Sequence, residues 1–259
     1  MTSARSEVDL VGDDLELTGR IMPASNATFV GQIGDVAVVY KPVAGEQPLW
    51  DFPDGNLARR ERAAYVLSET LGWNVVPHTW LRDGPMGIGM VQLWQETDPE
   101  QDAVDLVAAN DMPDEGWCHV IDGRDGYDRP VSLIHEDSPG LRRMAVFDII
   151  VNNADRKGGH VLEMADGHRH GIDHGLTFHG EHKLRTVLWG WVGQDLHPDE
   201  LEGVERVRDA LAEDLGDTLT ALLSDAEIAA LAARCDLLLR KARFPAPRGG
   251  MPAVPWPPF

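Results

Sequence analysis

The sequence predicts an α+β fold in two parts, a small β-rich lobe followed by a larger, mainly helical lobe. Short β-type segments separated by Gly and Asp turns fill most of the first 97 residues. Apolar residues at helical spacing dominate the remainder, and 259 residues suit one large domain or two closely joined lobes. We therefore divide the chain into an N-lobe (1–97), a C-lobe (98–244) and a Pro-rich tail (245–259).

The N-lobe is predicted to begin with a β-hairpin. Residues 28–32 and 36–41 have β-type composition, and the Gly-Asp pair between them is a turn signal. A helix is predicted over 57–71 because its apolar residues share one face, and Gly72 is its expected C-terminal stop. The other predicted strands of this lobe are 74–80 and 86–94.

The C-lobe is predicted to be built mainly from helices. In 141–151 apolar residues occupy almost every face, which indicates a buried helix. Residues 199–223 have apolar spacings of three and four, and a capping box at 224–227 opens a further helix that extends to Arg243. A weaker helix candidate is 101–109. The tail holds six of the 17 prolines, so we expect an extended strap or a disordered end.

Composition restricts the class of function. The chain has 43 acidic and 23 basic residues, a net charge of −20, which argues against nucleic-acid partners and against adhesion to anionic membranes. Cys118 and Cys235 are too few for a thiolate zinc site, although one disulfide stays open. Because no apolar leader or run of roughly 20 apolar residues is present, we expect a cytoplasmic protein with reduced thiols and no integral membrane association.

A polar loop after the buried helix carries the strongest chemical signal. Asp155 is suited to orienting a substrate hydroxyl, and Arg156 or Lys157 to neutralising charge on a transferred phosphoryl group. His160 lies five residues after Asp155, at the offset where protein kinases carry a metal-binding Asn. Asp173 ends a short strand before a Gly-containing turn and is the strongest metal candidate. The structural alternative is a turn in which Asp and Asn cap the local backbone.

A lysine and a glutamate supply the phosphate side of the same chemistry. Lys41 ends an apolar strand, and Glu61 lies twenty residues later on the following helix. Taken alone, they are a strand-end lysine and a surface helix charge. Together they match the kinase arrangement in which a strand Lys binds the nucleotide phosphates and a helix Glu holds that Lys. Glu69, on the same helix, is a weaker candidate partner.

Two other segments are candidates for nucleotide contact. Asn26 and Thr28 precede the hairpin, and their polar groups suit phosphate oxygens, although the segment lacks the glycines of a GxGxxG loop. Gln92, Leu93 and Trp94 end the last strand of the N-lobe, where a two-lobed kinase has the hinge that reads adenine through backbone groups. Each also has an ordinary reading, as a turn and as a buried strand.

The metal-binding side of the site leaves alternatives open. Histidine is a softer ligand than an amide oxygen, so His160 is compatible with Mg²⁺ or Mn²⁺, with a preference for Mn²⁺, or with loss of the second metal. A different class of function, a metal-dependent hydrolase, would use the cluster of His160, His168, His170, Asp173, His174 and His179. The chain has no HExxH motif to support that reading.

Several motifs resemble the phosphatidylinositol 3-/4-kinase superfamily, most closely its type II phosphatidylinositol 4-kinase branch, and within it a bacterial, actinobacterial family of kinase-like proteins. The resemblance covers roughly residues 15–191. The segments that carry it are Asn26-Ala27-Thr28-Phe29, Val39-Tyr40-Lys41-Pro42, 45–53, 60–65, Asn152–His160 and Gly171–Phe178. It implies a two-lobed protein-kinase-like fold and ATP binding. It also implies that Lys41 binds phosphates, Glu61 supports it, Asp155 is the catalytic acid/base and Asp173 binds Mg²⁺.

The sequence therefore predicts an ATP-dependent phosphotransferase that uses Mg²⁺ or Mn²⁺ and acts on a hydroxyl group. The acceptor is expected to be a soluble polyol of the inositol type or a protein rather than a membrane lipid, because of the acidic charge and the lack of a membrane-binding helix. The alternative is a pseudokinase that binds nucleotide and acts through conformation or partner docking. The third reading is the hydrolase.

Overall fold

Five antiparallel strands form the sheet of the N-lobe. The computed structural model describes residues 8–22, 26–47, 49, 52, 56–248 and 252–259. The strands are β1 (Leu15–Arg20), β2 (Phe29–Ile33), β3 (Val36–Pro42), β4 (Thr79–Gly84) and β5 (Gly87–Leu93). They pair in the order β1-β2-β3-β5-β4. The sheet buries a small core of Leu15, Ile33, Val38, Tyr40, Trp80 and Val91.

The predicted hairpin is confirmed, and one of the other two strand predictions is largely wrong. Strands β2 and β3 pair from Phe29↔Tyr40 to Ile33↔Val36, and β5 lies within the predicted 86–94. The prediction of a strand over 74–80 fails because only its last two residues are in β4. Asn74 has φ 51°, in the left-handed region, and Pro77 lacks a backbone donor, so these residues form a loop instead.

Helix α1 (Leu57–Leu71) has the predicted bounds, with Gly72 at φ 70° as its C-cap. Its first turn is capped from a distance by Glu46, whose carboxylate accepts hydrogen bonds of 2.9–3.0 Å from the backbone N–H groups of 56, 57 and 58. A carboxylate there satisfies otherwise unpaired donors and complements the helix dipole. The apolar face of α1, formed by Ala63, Ala64, Leu67 and Leu71, packs into the core of the C-lobe.

The C-lobe contains a sheet that the sequence did not reveal. Strands β6 (Val104–Ala108), β7 (Trp117–Arg124) and β8 (Pro130–Glu136) form an antiparallel sheet in the order β6-β8-β7. The helix predicted over 101–109 is therefore wrong. Its apolar residues pair with β8 across the register from Val104↔His135 to Ala108↔Val131, and this non-local pairing decides the local conformation.

Apart from 101–109, the predicted helices of the C-lobe are present, and one of them is divided in two. They are α2 (Pro139–Val151), α3 (Pro198–Ala210), α4 (Asp214–Thr220) and α5 (Asp225–Lys241), and a small hairpin, β9 (Val161–Glu163) and β10 (Arg169–Gly171), lies between α2 and α3. The single helix predicted over 199–223 is broken at Glu213, whose φ of −128° and ψ of −145° are not helical. The chain turns back there so closely that a Cβ at Gly216 would lie 2.4 Å from the Leu211 carbonyl oxygen.

Helix α5 begins at the predicted capping box. The side chains of Ser224 and Glu227 each accept from the other's backbone N–H, and the helix ends at Lys241, two residues before the predicted end. Both cysteines are free thiols: Cys235 is buried in α5, and Cys118 lies half-buried in β7. Within the described part of the chain, the helices lack the length and apolar character that crossing a membrane requires.

The described parts of the tail, residues 245–248 and 252–259, lie against the C-lobe. The Ala253 carbonyl accepts hydrogen bonds from the Thr186 backbone N–H (3.0 Å) and the Trp189 indole (2.8 Å). The Pro258 carbonyl accepts from the Gly158 N–H at 2.8 Å. The Phe259 ring lies on Gly158, where an added Cβ would be 2.2 Å from a ring carbon. The last residues of the chain are thus seated on the loop that carries Asp155.

We expect Gly158→Ala to release the end of the tail, because the new methyl group takes the space of the Phe259 ring. Digestion with a carboxypeptidase, followed by mass spectrometry, should remove the last residues faster than in the wild type. Gly159→Ala is the matched control, since nothing lies within 4 Å of a Cβ at that position. Equal digestion rates for the two variants would contradict a seated tail.

Candidate active site

Lys41 of β3 joins the two lobes through two carboxylates. Its Nζ lies 2.9 Å from Glu61 Oε1 on α1 and also forms an ion pair with Asp173 Oδ1, which follows β10 in the C-lobe. Burial opposes the charge of Lys41, but the Asp173 and Glu61 carboxylates outweigh it and raise the pKa of the ammonium group. Lys41 therefore stays charged at neutral pH, with a side chain that is still 21% exposed to the cleft.

Glu61 uses both of its carboxylate oxygens. While Oε1 pairs with Lys41, Oε2 accepts a hydrogen bond of 2.9 Å from the backbone N–H of His174. Glu61 therefore fixes the lysine and the loop that presents Asp173 at the same time. Glu69, the weaker candidate partner for Lys41, is exposed further along α1 and lies near Tyr65 instead.

Asp173 and His160, both in the C-lobe, are in direct contact. His160 Nε2 lies 3.3 Å from Asp173 Oδ2, and the Asp173 side chain is 43% exposed. Asp173 has left-handed backbone angles (φ 59°, ψ 54°), so it stands at a sharp turn between β10 and the next helical turn. Although burial opposes ionisation, the charge of Lys41 lowers the pKa of Asp173, which is therefore ionised.

The tautomer of His160 follows from its second hydrogen bond. Its Nδ1 lies 2.9 Å from the backbone carbonyl of Asp155, and a carbonyl only accepts, so Nδ1 carries the proton. Burial is the main cause of a lowered His160 pKa, which favours the neutral ring. The Nε2 lone pair then faces the ionised carboxylate of Asp173 at 3.3 Å. Two hydrogen-bond acceptors repel each other at this distance unless a cation or a proton lies between them.

Asp155 and Lys157 are the accessible charges of the polar loop. The Asp155 side chain is 29% exposed and that of Lys157 is 23% exposed, and Lys157 Nζ lies 3.5 Å from Asp155 Oδ2. The backbone N–H of Asp155 donates to the side-chain oxygen of Asn153 at 3.0 Å, which fixes the turn that presents the carboxylate. Both side chains are therefore accessible from the surface of the protein.

Arg156 has a different place from the one predicted. Its side chain is fully buried and pairs with the fully buried Asp148 of α2 at 3.0 Å. Its Nη1 donates to the carbonyl oxygens of His160 (3.0 Å) and Ile172 (3.1 Å). The prediction that Arg156 neutralises a phosphoryl group does not fit this placement, because the guanidinium is enclosed by protein and holds the two loops together.

His174 completes this buried network. Arg156 Nη2 lies 2.6 Å from His174 Nε2, and since an arginine only donates, Nε2 is the acceptor and the ring is neutral. Burial, followed by the charge of Arg156, lowers the His174 pKa well below its usual range. The Nδ1 of His174 has no hydrogen-bond partner in the described part of the chain. An unpaired buried N–H costs free energy, and the hydrogen bond from Arg156 to Nε2 offsets that cost.

Sequence reasoning missed Asp148, although a signal for it was present. An acidic residue in an otherwise buried, apolar helix needs a partner, because an unpaired charge is costly to bury. Besides Arg156, Asp148 accepts from Asn153 Nδ2 (2.9 Å) and Thr186 Oγ1 (3.2 Å). The neighbouring Asn152 caps α2 in a left-handed conformation and donates to the carbonyls of His179 and Glu181.

The predicted hinge residues are largely engaged by the protein itself. Gln92 is buried and donates to Thr79 Oγ1 at 2.8 Å. The backbone N–H groups of Leu93 and Trp94 donate to the carbonyls of His78 (2.9 Å) and Ala37 (3.0 Å). These two donors are thus part of the sheet rather than offered to an adenine ring. The Trp94 side chain is 40% exposed.

The predicted phosphate loop connects β1 to β2, and residues 23–25 of it lie outside the described residues. Asn26 Oδ1 accepts from the backbone N–H of Gln47 at 2.8 Å, and Thr28 Oγ1 donates to the Asn26 carbonyl at 3.3 Å. Both side chains therefore serve the local turn in this conformation.

The histidines proposed for a hydrolytic centre are dispersed among other contacts. His168 and His170 pack edge to face with ring centroids 4.4 Å apart, His174 binds Arg156, and His179 packs on Phe52. Among the residues that the structure describes, no group of three or more His, Cys, Asp or Glu side chains is arranged to hold a metal ion.

Comparisons with known proteins support the fold. No family model matches the chain. Protein Rv2133c of Mycobacterium tuberculosis is 48% identical over 263 residues, which cover 96% of this chain and 94% of that protein. The crystal structure of the Helicobacter pylori proinflammatory kinase CtkA is similar with a TM-score of 0.50 and 12% identity, over 92% of this chain and 95% of that one. The α+β, two-lobed, kinase-like fold predicted from the sequence is thereby confirmed.

We expect Arg156→Leu to lower the free energy of unfolding by about 3–5 kcal/mol, because it leaves Asp148 charged and buried without its cation. Urea unfolding followed by circular dichroism measures the change. Arg143→Leu is the matched control, because it removes an arginine from an exposed ion pair instead of a buried one. Arg143 pairs with Asp199 at 2.8 Å, and both side chains are exposed, so the loss of unfolding free energy should stay within about 1 kcal/mol. Similar losses for the two variants would contradict the structural role of Arg156.

Proposed function

The chain belongs to the family of Protein Rv2133c, and we propose that it is an ATP-dependent phosphotransferase acting on a hydroxyl group. One observation carries this proposal: a single lysine, Lys41, is held between a helix glutamate and the Asp173 carboxylate of the opposite lobe. A charged lysine in that position suits the phosphates of a nucleotide, and the aspartate suits the metal that accompanies them.

Asp155 and Lys157 take the acceptor side of the reaction in this proposal. The Asp155 carboxylate orients the attacking hydroxyl and accepts its proton, and Lys157, 3.5 Å away, balances charge that develops on the phosphoryl oxygens. Arg156 contributes indirectly, since it donates hydrogen bonds to the backbone carbonyls of His160 and of Ile172, the residue before Asp173. Catalysis would then depend mainly on positioning and charge neutralisation.

The residues of the cleft fit a hard divalent cation. Asp173 offers an ionised carboxylate, and His160 offers an Nε2 lone pair 3.3 Å from it, with Nδ1–H fixed by the Asp155 carbonyl. This is the arrangement in which a carbonyl fixes the tautomer of a metal-binding histidine. Bound Mg²⁺ or Mn²⁺ would neutralise and orient the nucleotide phosphates. His160 and Asp173 are the residues that would hold it.

Two features of the sequence bear on the class of acceptor, namely its motifs and its net charge. The motifs resemble type II phosphatidylinositol 4-kinases, which favours a polyol of the inositol type. The net charge of −20 disfavours an acceptor presented on an anionic membrane, so a soluble polyol or a protein hydroxyl is the acceptor class that we propose.

A pseudokinase is the alternative function, and His160 is the observation that favours it. An imidazole is a softer ligand than the amide that kinases carry at this offset, so metal binding would be weaker. In that case Lys41 and Glu61 would still bind nucleotide, while phosphotransfer would be lost. The two functions therefore agree on binding and differ on turnover.

Two substitutions test the proposed function together. Mg-ATP at roughly 100 times its Kd should stabilise the wild type by about 2.7 kcal/mol, and Lys41→Ala should lose most of this gain. Asp155→Asn should keep the stabilisation but reduce ATP turnover about 10²–10⁴-fold, because it removes the proton acceptor. Thermal unfolding and release of labelled phosphate are the two measurements.

Asp128→Asn is the control for the loss of one carboxylate, since Asp128 lies in an exposed turn with a side chain that is 84% exposed. It should leave binding and turnover unchanged. If neither Mg-ATP nor Mn-ATP stabilises the wild type, both nucleotide-binding functions are wrong. Stabilisation without turnover in the wild type, across soluble polyols and candidate proteins, would favour the pseudokinase.

His160→Asn should shift the metal preference of the enzyme toward Mg²⁺, because an amide oxygen is a harder ligand than an imidazole nitrogen. We expect the ratio of Mg²⁺-supported to Mn²⁺-supported turnover to rise roughly tenfold, which corresponds to about 1.4 kcal/mol. His119→Asn is the matched control, as His119 is exposed on β7 and contacts Asp122. An unchanged ratio in His160→Asn would show that His160 is not a metal ligand.

A further inference from the structure

A cavity lies in the C-lobe, apart from the residues of the candidate active site. It is bounded by α2, α5 and the segment that follows α5, and its volume is about 390 Å³. This volume is within the range of small-molecule sites, roughly 300–1,000 Å³. Lys41, Glu61, Asp155, His160 and Asp173 are not among the described residues that line it.

The wall of the cavity is largely apolar. The apolar side chains that line it come from α2, the 184–189 segment, α5 and the start of the tail, namely Ile149, Leu184, Trp189, Leu237, Leu238, Phe244, Pro245 and Ala246. Such a surface favours an apolar ligand body over water. Trp189 adds a flat aromatic face that is fixed by its indole hydrogen bond to Ala253.

The polar groups of the same cavity are all basic or neutral. They are His182, Arg234, Lys241, Arg243 and Arg248, and no acidic side chain lines the cavity within the described residues. This composition is the reverse of the whole chain, which has 43 acidic and 23 basic residues. A local concentration of positive charge in an acidic protein favours an anionic ligand.

Arg234 is the most enclosed of these cations. Its Nε donates to the Ile150 carbonyl at 2.7 Å and its Nη1 to the His179 carbonyl at 3.3 Å. Its Nη2 is buried and has no hydrogen-bond partner among the described residues. Burial lowers the pKa of Arg234 to about 10, so it remains charged at neutral pH with a donor left unused.

The other basic residues of the cavity add to the positive charge of Arg234. Burial, then the charges of Arg248 and Arg234, lower the pKa of His182, which indicates a positive local field. Arg243 forms an ion pair with the exposed Asp195 at 2.9 Å, so it contributes less. Arg234, Lys241 and Arg248 are therefore the cations on which an anion would depend.

We propose that this cavity binds an amphiphilic anion, an apolar body that carries a single carboxylate or phosphate head group. The apolar wall takes the body, and the head group pairs with Lys241 and Arg234, the two cations of α5 that line the cavity. The proposal concerns a site that is separate from the active site, so its success or failure is independent of nucleotide binding.

Isothermal titration calorimetry on the full chain tests the proposal with four probes of one chain length: decanoate, decyl phosphate, decanol and decyltrimethylammonium. We expect the two anions to bind with one site per chain and the alcohol and the cation to bind at least about tenfold more weakly, since a charge-assisted hydrogen bond is lost. If only decyl phosphate binds, the head group of the ligand is a phosphate. If only decanoate binds, the head group is a carboxylate.

Lys241→Gln should weaken binding of the anions about tenfold. Arg240→Gln is the matched control: it removes one positive charge from the same last turn of α5, but Arg240 does not line the cavity. Leu237→Trp, which fills the cavity, should abolish binding of all probes. The proposal is overturned if decanol binds as tightly as decanoate, if no probe binds, or if Lys241→Gln and Arg240→Gln have the same effect.

Discussion

The buried ion pair between Asp148 and Arg156 is the contact on which the geometry of the candidate active site depends. The two side chains are both fully buried, and the guanidinium reaches the carbonyls of His160 and Ile172 and the ring of His174. One side chain therefore joins α2, the loop of Asp155 and the loop of Asp173. A buried charge is stable only with its partner, so neither loop can move far without exposing an unpaired ion.

Glu61 extends this constraint into the N-lobe. It binds Lys41 with one oxygen and the His174 backbone with the other, while the adjacent Arg60 pairs with Glu227 of α5 at 2.5 Å. Helix α1 belongs to the N-lobe by sequence, yet its apolar face lies in the C-lobe core. The position of Lys41 is thus set by both lobes, and changes in lobe orientation would act directly on this lysine.

The sequence was informative where an arrangement follows from the spacing of residues, and uninformative where it follows from long-range packing. Lys41, Glu61 and Asp173 were grouped from their places on a strand, a helix and a turn, and in the structure both carboxylates contact the lysine. Arg156 was misassigned because a polar loop does not reveal which of its side chains turns inward. The β6-β8-β7 sheet was missed because its strands are defined by pairing with distant residues rather than by local propensity.

Electrostatics explains why the cleft can suit a polyanion although the chain carries a net charge of −20. Exposed charges more than about 10 Å away are largely screened at physiological salt, whereas charges in the cleft are not. Lys41 is held charged by two carboxylates, because removing its proton would leave both without their cation. In the proposed function, a nucleotide that draws Lys41 toward its phosphates would free Asp173 Oδ1, while Oδ2 lies 3.3 Å from His160 Nε2. The Asp173 carboxylate would then be available to a cation, so phosphate binding by Lys41 and cation binding at Asp173 would favour each other.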